Sequence, residues 1–316
     1  MTASGPGIPT AIASRPGESQ MADQTTRRDP RSQYPGPASA ETIEHPGPTD
    51  QMDREPDHGE HTYRGSGRLT DTAAVITGGD SGIGRAVAIA FAREGADVLI
   101  TCLPEEKDDA ATTAALITDA GRRAEVVVCD LILEADNTRV VDQAVAAFGR
   151  IDVLVCNAAY QMSRDAGLPD IDTEQFDRVL KTNVYALFWL CKAALPHLPP
   201  GASIITTSSI QAFQPSPNLL DYATSKAAIV NLTKGLALNL IDRGIRVNSV
   251  APGPVWTPLI PATMPPDKVD SFGAQAPLGR PAQPAELAPT YVFLASQESS
   301  YTTGETIAVT GGTPIT

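Results

Sequence analysis

From Thr70 onward, short apolar runs alternate with stretches whose apolar residues recur every three or four positions. That alternation predicts strands separated by helices. Ala73–Thr77 reads as a first strand, followed by a glycine-rich turn and a helix to about Arg93, stopped at Gly95. Val98–Thr101 reads as the second strand, and a helix near 105–120 ends at Gly121. Glu125–Cys129 is the third, with a helix to Phe148, and Ile151–Val155 is the fourth. A long helix over 173–195, stopped at Pro196, precedes a fifth strand at Ser203–Thr207. A second long helix over 221–242, ended by Gly244, precedes a sixth at Ile245–Val250. Residues 252–283 are proline-rich and too long for a simple connection, so they read as a lid. A helix at 284–296 and a strand at Thr306–Val309 complete the series. Strands this continuously apolar belong to a parallel sheet covered on both faces. The expected architecture is α/β, a single doubly wound parallel sheet of about seven strands with helices on both faces.

Residues 1–65 differ. They are rich in Pro, Gly, Ser, Thr and charge, and contain no Phe or Trp. Such a segment alone cannot bury enough apolar surface to offset its ordering entropy. It reads as a flexible proline-rich arm, disordered at least in its first half, preceding a folded unit at 66–316. Its expected role is packing across a subunit interface.

Charge and composition then exclude whole classes. Lys and Arg number 24 against 37 Asp and Glu, a net charge of −13 over 316 residues. This is the wrong sign for a general nucleic-acid binder or for docking on an anionic membrane. Aromatics at 5% are too few for base-stacking platforms. No run of apolar residues is long enough to span a membrane, and the start lacks a secretory pattern, so the expected location is cytoplasmic. Cys102, Cys129, Cys156 and Cys191 form no CxxC pair and read as buried reduced thiols. Only His197 of the four histidines falls within 66–316, so neither a Ser-His-Asp triad nor a metal centre is expected.

Candidate chemistry begins at the turn after the first strand. Gly78, Asp80, Ser81, Gly82, Ile83 and Gly84 lie between a strand and a helix. There glycines let the backbone approach a pyrophosphate, and the helix N-terminus offers free N–H groups. The spacing is GxxxGxG rather than GxGxxG. The alternative, a tight turn without ligand, is weakened by its place after the first strand of a complete α/β series. A dinucleotide site often carries an acid about 20 residues further on, holding the ribose hydroxyls. Cys102 stands at that point, and no Arg or Lys is present to meet a 2′-phosphate. Glu105 and Glu106 would repel such a phosphate, which tilts the choice between NAD and NADP weakly towards NAD; a solvated first helical turn accounts for them better.

Tyr222 and Lys226 stand one turn apart on one helix face. A tyrosine at its ordinary pKa of about 10 is a poor acid–base group near neutrality, and a neighbouring ammonium lowers that value. Ser209, just past the fifth strand, is placed to donate to a substrate oxygen, with Ser208 a rival. Asn157-Ala158-Ala159 ends the fourth strand at the same rim. Asn183 sits mid-helix, where Asn needs a reason: an outward-facing polar residue, or a water-linked proton path from Lys226.

These motifs together resemble the short-chain dehydrogenase/reductase family over about residues 70–312. Thr77–Gly84 resembles its T-G-x-x-x-G-I-G, and Asn157-Ala158-Ala159 its N-A-G, with Ala159 in place of Gly. Ser209, Tyr222, Lys226 and Asn183 match its catalytic set, and Pro252, Gly253, Val255 and Thr257 lie in its P-G-x-x-x-T segment beside nicotinamide. Asp130 matches the acid that contacts adenine. The resemblance implies a Rossmann-type fold, an NAD or NADP cofactor, and hydride transfer between nicotinamide and a carbonyl or alcohol. It implies that Tyr222 protonates the carbonyl oxygen, that Lys226 holds the ribose and lowers the Tyr222 pKa, and that Ser209 positions the oxygen. It also implies a homotetramer built on the two long helices. His58–Gly65, Gly78–Val87 and Leu219–Ala223 are similar to a bacterial stress-associated subgroup with an extended N-terminus. Cys102 departs from the family's NAD-preferring form.

The expected substrate is a small carbonyl or alcohol in a pocket lined by Tyr160, Gln161, Gln211, Phe213 and Trp256. The two glutamines fit either an oxygen-bearing substrate or hydrogen bonding at the rim. A non-catalytic nicotinamide-binding sensor is the alternative from another class, disfavoured because Tyr222 and Lys226 are both present. A 3-oxoacyl reductase is a third reading, disfavoured because an acidic carrier protein would be repelled by the acidic surface.

Overall fold

The computed structural model describes residues 24–38 and 40–315, and within them seven apolar runs form strands. These are β1 (Ala73–Ile76), β2 (Asp97–Cys102), β3 (Ala124–Val128), β4 (Val153–Cys156), β5 (Ser203–Thr207), β6 (Arg246–Pro252) and β7 (Thr306–Val309). All are parallel, in the order β3-β2-β1-β4-β5-β6-β7. The order reverses between β1 and β4, so a crevice opens beyond their carboxyl ends. The helices are α1 (Gly82–Arg93), α2 (Lys107–Asp119), α3 (Glu134–Phe148), α4 (Thr173–Leu180), α5 (Ala186–Ala194), α6 (Leu220–Leu240), α7 (Leu259–Thr263), α8 (Pro266–Asp270) and α9 (Pro284–Ala295).

The sheet divides the core because successive side chains of a strand point to opposite faces. Ala74 and Ile76 of β1, Val98 and Ile100 of β2, and Val153 and Val155 of β4 pack with α1 and α9. Val75, Leu99 and Leu154 point the other way, towards α3, α5 and α6. All four cysteines are buried and unpaired. Among the described residues no helix is long and apolar enough to cross a membrane.

Two expectations need correction. The helix over 173–195 is interrupted: Lys181–Tyr185 form a π turn between α4 and α5, and Asn183 in that turn is buried. A π turn re-aims one side chain relative to a regular helix, and here it sends Asn183 inward rather than towards solvent. The arm is the second. Its first 23 residues lie outside the described residues and residues 24–37 include none that is buried, but from Ala38 onward the arm is packed on the domain. Ala38, Ile43 and Met52 form a buried cluster with Trp256, Ile260 and Val269 of the lid. The Trp256 indole Nε1 donates to the Arg54 carbonyl at 2.7 Å, and the Arg54 guanidinium lies 5.3 Å from the ring centroid. Further along, the buried Glu94 accepts from Tyr63 Oη at 2.7 Å and from Arg68 Nη2 at 2.6 Å. Burial pushes the Glu94 carboxyl up, but hydrogen bonds from Arg68, Ser66 and Tyr63 outweigh it and hold the group at about 2. The arm lacks apolar surface of its own and borrows it from the lid. Trp256→Ala is therefore expected to cost about 3–5 kcal/mol in denaturant unfolding and to open residues 38–56 to proteolysis.

Candidate active site

The glycine turn is held by its neighbours at the rim of the sheet. Thr77 Oγ1 accepts from the backbone of Asn157 at 2.9 Å and of Ala158 at 3.1 Å, tying the ends of β1 and β4 together. The Asn157 amide donates to the carbonyls of Thr77 and Gly78, both at 3.1 Å. A Cβ on Gly84 would lie 1.8 Å from the Gly78 carbonyl oxygen, so α1 can start this close to the turn only with glycine there. Gly84 thus packs beneath the turn instead of facing the crevice. Gly78, Asp80, Ser81, Gly82 and Ile83 do face it, as do Asn157 and Ala158.

The crevice is one continuous cavity of about 560 Å³. It runs from the turn past Cys102 and Asp130 at the ends of β2 and β3, and reaches Ser209, Tyr222 and Lys226 beyond β5. Pro252, Gly253, Val255 and Thr257 complete its far wall. Burial, then the nearby Asp80 and Glu106 charges, push the Cys102 thiol up to about 12, so it is no nucleophile. Asp80 is buried with its Oδ2 unpartnered, and burial together with the Glu106 charge raises its pKa. The Asp130 carboxylate pairs with Arg178 at 3.1 Å.

At the other end, α6 delivers two groups together. Asp221, fully buried, accepts from Gln175 Nε2 at 2.7 Å and from the backbone of Tyr222 at 2.8 Å, which fixes the start of that helix. Lys226 Nζ donates to the Thr207 carbonyl at 2.8 Å and lies 5.3 Å from the Tyr222 ring centroid. Burial lowers Lys226 to about 7. Burial also pushes Tyr222 up to about 12, against a hydrogen bond with Ser209. The expected lowering of Tyr222 by Lys226 does not show here, because the same burial raises the phenol and lowers the amine. Ser209 Oγ faces the cavity, accepting from Gln211 N at 3.1 Å. Ser208 lines the cavity too, but its hydroxyl turns to β6, donating to the Val250 carbonyl at 3.1 Å, which leaves Ser209 the better placed of the two. Asn183 lies behind the cavity: its amide accepts from Tyr160 N at 2.7 Å and donates to Tyr160 O and Ser225 Oγ, both at 2.9 Å.

Of the expected substrate residues, Tyr160, Gln161 and Gln211 line the cavity, and Trp256 and Phe213 do not. Val255 pairs with Ala282 in an isolated bridge, so the segment is extended. Alternate side chains then point to opposite sides: Val255 and Thr257 enter the cavity and Trp256 faces the arm. The Gln211 amide is closed on Ser216, at 2.9 and 2.7 Å, and Gln161 on Thr263 at 2.9 Å. Both serve the rim. The sequence reading missed Arg178, Lys268 and, in the arm, His45 and Pro46, all of which line the cavity.

A family model described as enoyl-(acyl carrier protein) reductase matches residues 78–314. The uncharacterized oxidoreductase YghA of Escherichia coli (strain K12) is 52% identical, covering 90% of this chain and 97% of its own. NADPH-dependent aldehyde reductase 1, chloroplastic, of Arabidopsis thaliana is 44% identical, with coverage of 85% and 96%. A short-chain dehydrogenase from Burkholderia cenocepacia, solved with NADP, superposes with a TM-score of 0.73 at 33% identity, over 78% of this chain and 98% of that one. The chain belongs to the short-chain dehydrogenase/reductase family. It is accordingly a nicotinamide-dependent oxidoreductase acting on CH–OH groups. Its own crevice fits that cofactor: a glycine cradle, an unpartnered buried carboxyl at Asp80 and the Tyr222–Lys226 pair share one cavity.

Proposed function

We propose that the protein reduces a small aldehyde or ketone to an alcohol, or runs the reverse reaction, with Ser209, Tyr222, Lys226 and Asn183 as its working set. The observation that carries this reading is that Ser209, Tyr222 and Lys226 face the same cavity as the glycine turn. When bound, the cofactor supplies or accepts the hydride. Ser209 holds the carbonyl oxygen, and Tyr222 gives it a proton. Its raised pKa keeps the phenol protonated at neutral pH, as an acid must be before it donates. Lys226 would hold the nicotinamide ribose, with its charge favouring the phenolate left on Tyr222. Asn183 is a positioning residue, pinning the loop that carries Tyr160. NADH and NADPH oxidation against a panel of aldehydes, ketones and sugars tests the reading. Cofactor binding without turnover in either direction would favour a sensor instead.

The reading extends to the cofactor and the assembly. Asp80 and Glu106 put two carboxyls where a ribose would lie, a setting that accepts hydroxyls and repels a 2′-phosphate. NAD is favoured on that ground. The double variant Asp80→Asn with Glu106→Gln is expected to tighten NADPH relative to NADH by about tenfold or more, read by cofactor fluorescence titration. Tyr185, Phe188, Leu238 and Ile241 expose apolar surface around α5 and α6, which supports a homotetramer assembled on those helices.

A further inference from the structure

We infer that the arm residues His45 and Pro46 belong to the cofactor site, where they form a strap over the adenosine half of the dinucleotide. This rests on the cofactor reading above. The strap is tied to both rims of the crevice: Ile43 N donates to the Pro261 carbonyl of the lid at 3.3 Å, and Thr49 N to the Asp109 carboxylate of α2 at 2.8 Å. Between the ties, Gly47 is buried in the left-handed region at φ +95°, and a Cβ there would come within 3.0 Å of Ala262 and 3.1 Å of the Pro258 carbonyl. The path of the strap is therefore fixed by packing as well as by its ends. Within it, His45 and Pro46 face the cavity.

Their neighbours identify the ligand half. The His45 ring meets Tyr160 edge-on, with centroids 5.3 Å apart. The Arg178 guanidinium lies 5.5 Å from the Tyr160 ring centroid and pairs with Asp130 just past β3. In this sheet β2 and β3 lie on one side of the order reversal, and β5, which precedes Ser209, lies on the other. The strap thus crosses from the lid, where Ile43 and Gly47 pack, to α2, and His45 is linked to the β2–β3 side through Tyr160, Arg178 and Asp130. Burial and the Arg178 charge lower the His45 pKa, so at neutral pH the ring is an uncharged planar surface. Such a surface suits a purine face. Sequence inspection discounts it because an arm poor in apolar residues shows no sign of docking on the lid.

The full-length protein is titrated with NADH by fluorescence, and 5′-AMP is used to displace it. His45→Ala is expected to weaken NADH and AMP by a similar factor, about tenfold. Thr49→Pro, which removes the backbone donor to Asp109, is expected to speed NADH release in stopped flow. In the wild-type protein, hydrogen exchange over residues 43–49 is expected to slow on saturation with AMP. Unchanged affinity for both ligands in His45→Ala, a loss for NADH but not AMP, or unaltered exchange over the strap would each overturn the inference while leaving the reductase reading intact. A wild-type protein that binds neither NADH nor NADPH would take both down.

Discussion

Tyr222→Phe is expected to lower turnover by about 10²–10⁴-fold, with NADH affinity held within a few-fold. The substitution removes one oxygen from a ring that already lines the cavity, so packing and cofactor contacts remain while the proton donor is lost. Ser209 cannot take its place. A serine hydroxyl is a far weaker acid than a phenol, so its part is to hold the oxygen rather than to protonate it. Steady-state kinetics with parallel NADH titration checks both halves. Turnover within a few-fold of wild type would mean that another group, or solvent, delivers the proton.

Lys226→Met is expected to abolish turnover and yet stabilise the protein at low pH. Lys226 is 1% exposed, and burial lowers its pKa from 10.5 in an unfolded chain to about 7 in the folded one. Between those values the unfolded chain binds the additional proton, so the contribution of this group to stability rises with pH over that window. Below about 7 the folded state carries the whole penalty of a buried ammonium. The upper bound for that penalty is about 5 kcal/mol, from the shift itself. Methionine removes it but leaves the Thr207 carbonyl without its donor, a loss of about 1–3 kcal/mol. Thermal melts should therefore place the variant several degrees above wild type at pH 6, with the gap closing towards pH 10. In the wild type, kcat/KM for reduction should fall as pH rises through about 7, when Lys226 loses the charge that favours the Tyr222 phenolate. A variant less stable than wild type at pH 6 would show that Lys226 is held by interactions worth more than its desolvation.

Where one segment fixes its own environment, the sequence is a good guide. Ser203–Thr207 forms a strand with the bounds its apolar run predicts, because a strand buried on both faces leaves no freedom in its pattern; the half-buried edge strand Thr306–Val309 also keeps its predicted bounds. The glycine turn and the Tyr222–Lys226 pair are legible for the same reason, being local spacings on known elements. Legibility fails where two distant segments meet. Trp256 is apolar and adjacent to Val255, and only the extended backbone there sends one inward and the other to the arm. His45 lies in an arm that reads as flexible, yet it lines the cavity because the lid supplies the apolar partners that the arm lacks. The low proton affinity of Lys226 is likewise a property of burial, invisible in a four-residue spacing.

Hydride transfer itself can be followed atom by atom. The protein is mixed with NADH deuterated at the transferring C4 position and an aldehyde from the active panel, and the alcohol is analysed by mass spectrometry and NMR. The account predicts one deuterium at the new carbinol carbon, with formation of the labelled product slowed in Tyr222→Phe. Cofactor oxidation that leaves no deuterium in the alcohol, or equal labelling in the variant at the wild-type rate, would contradict it.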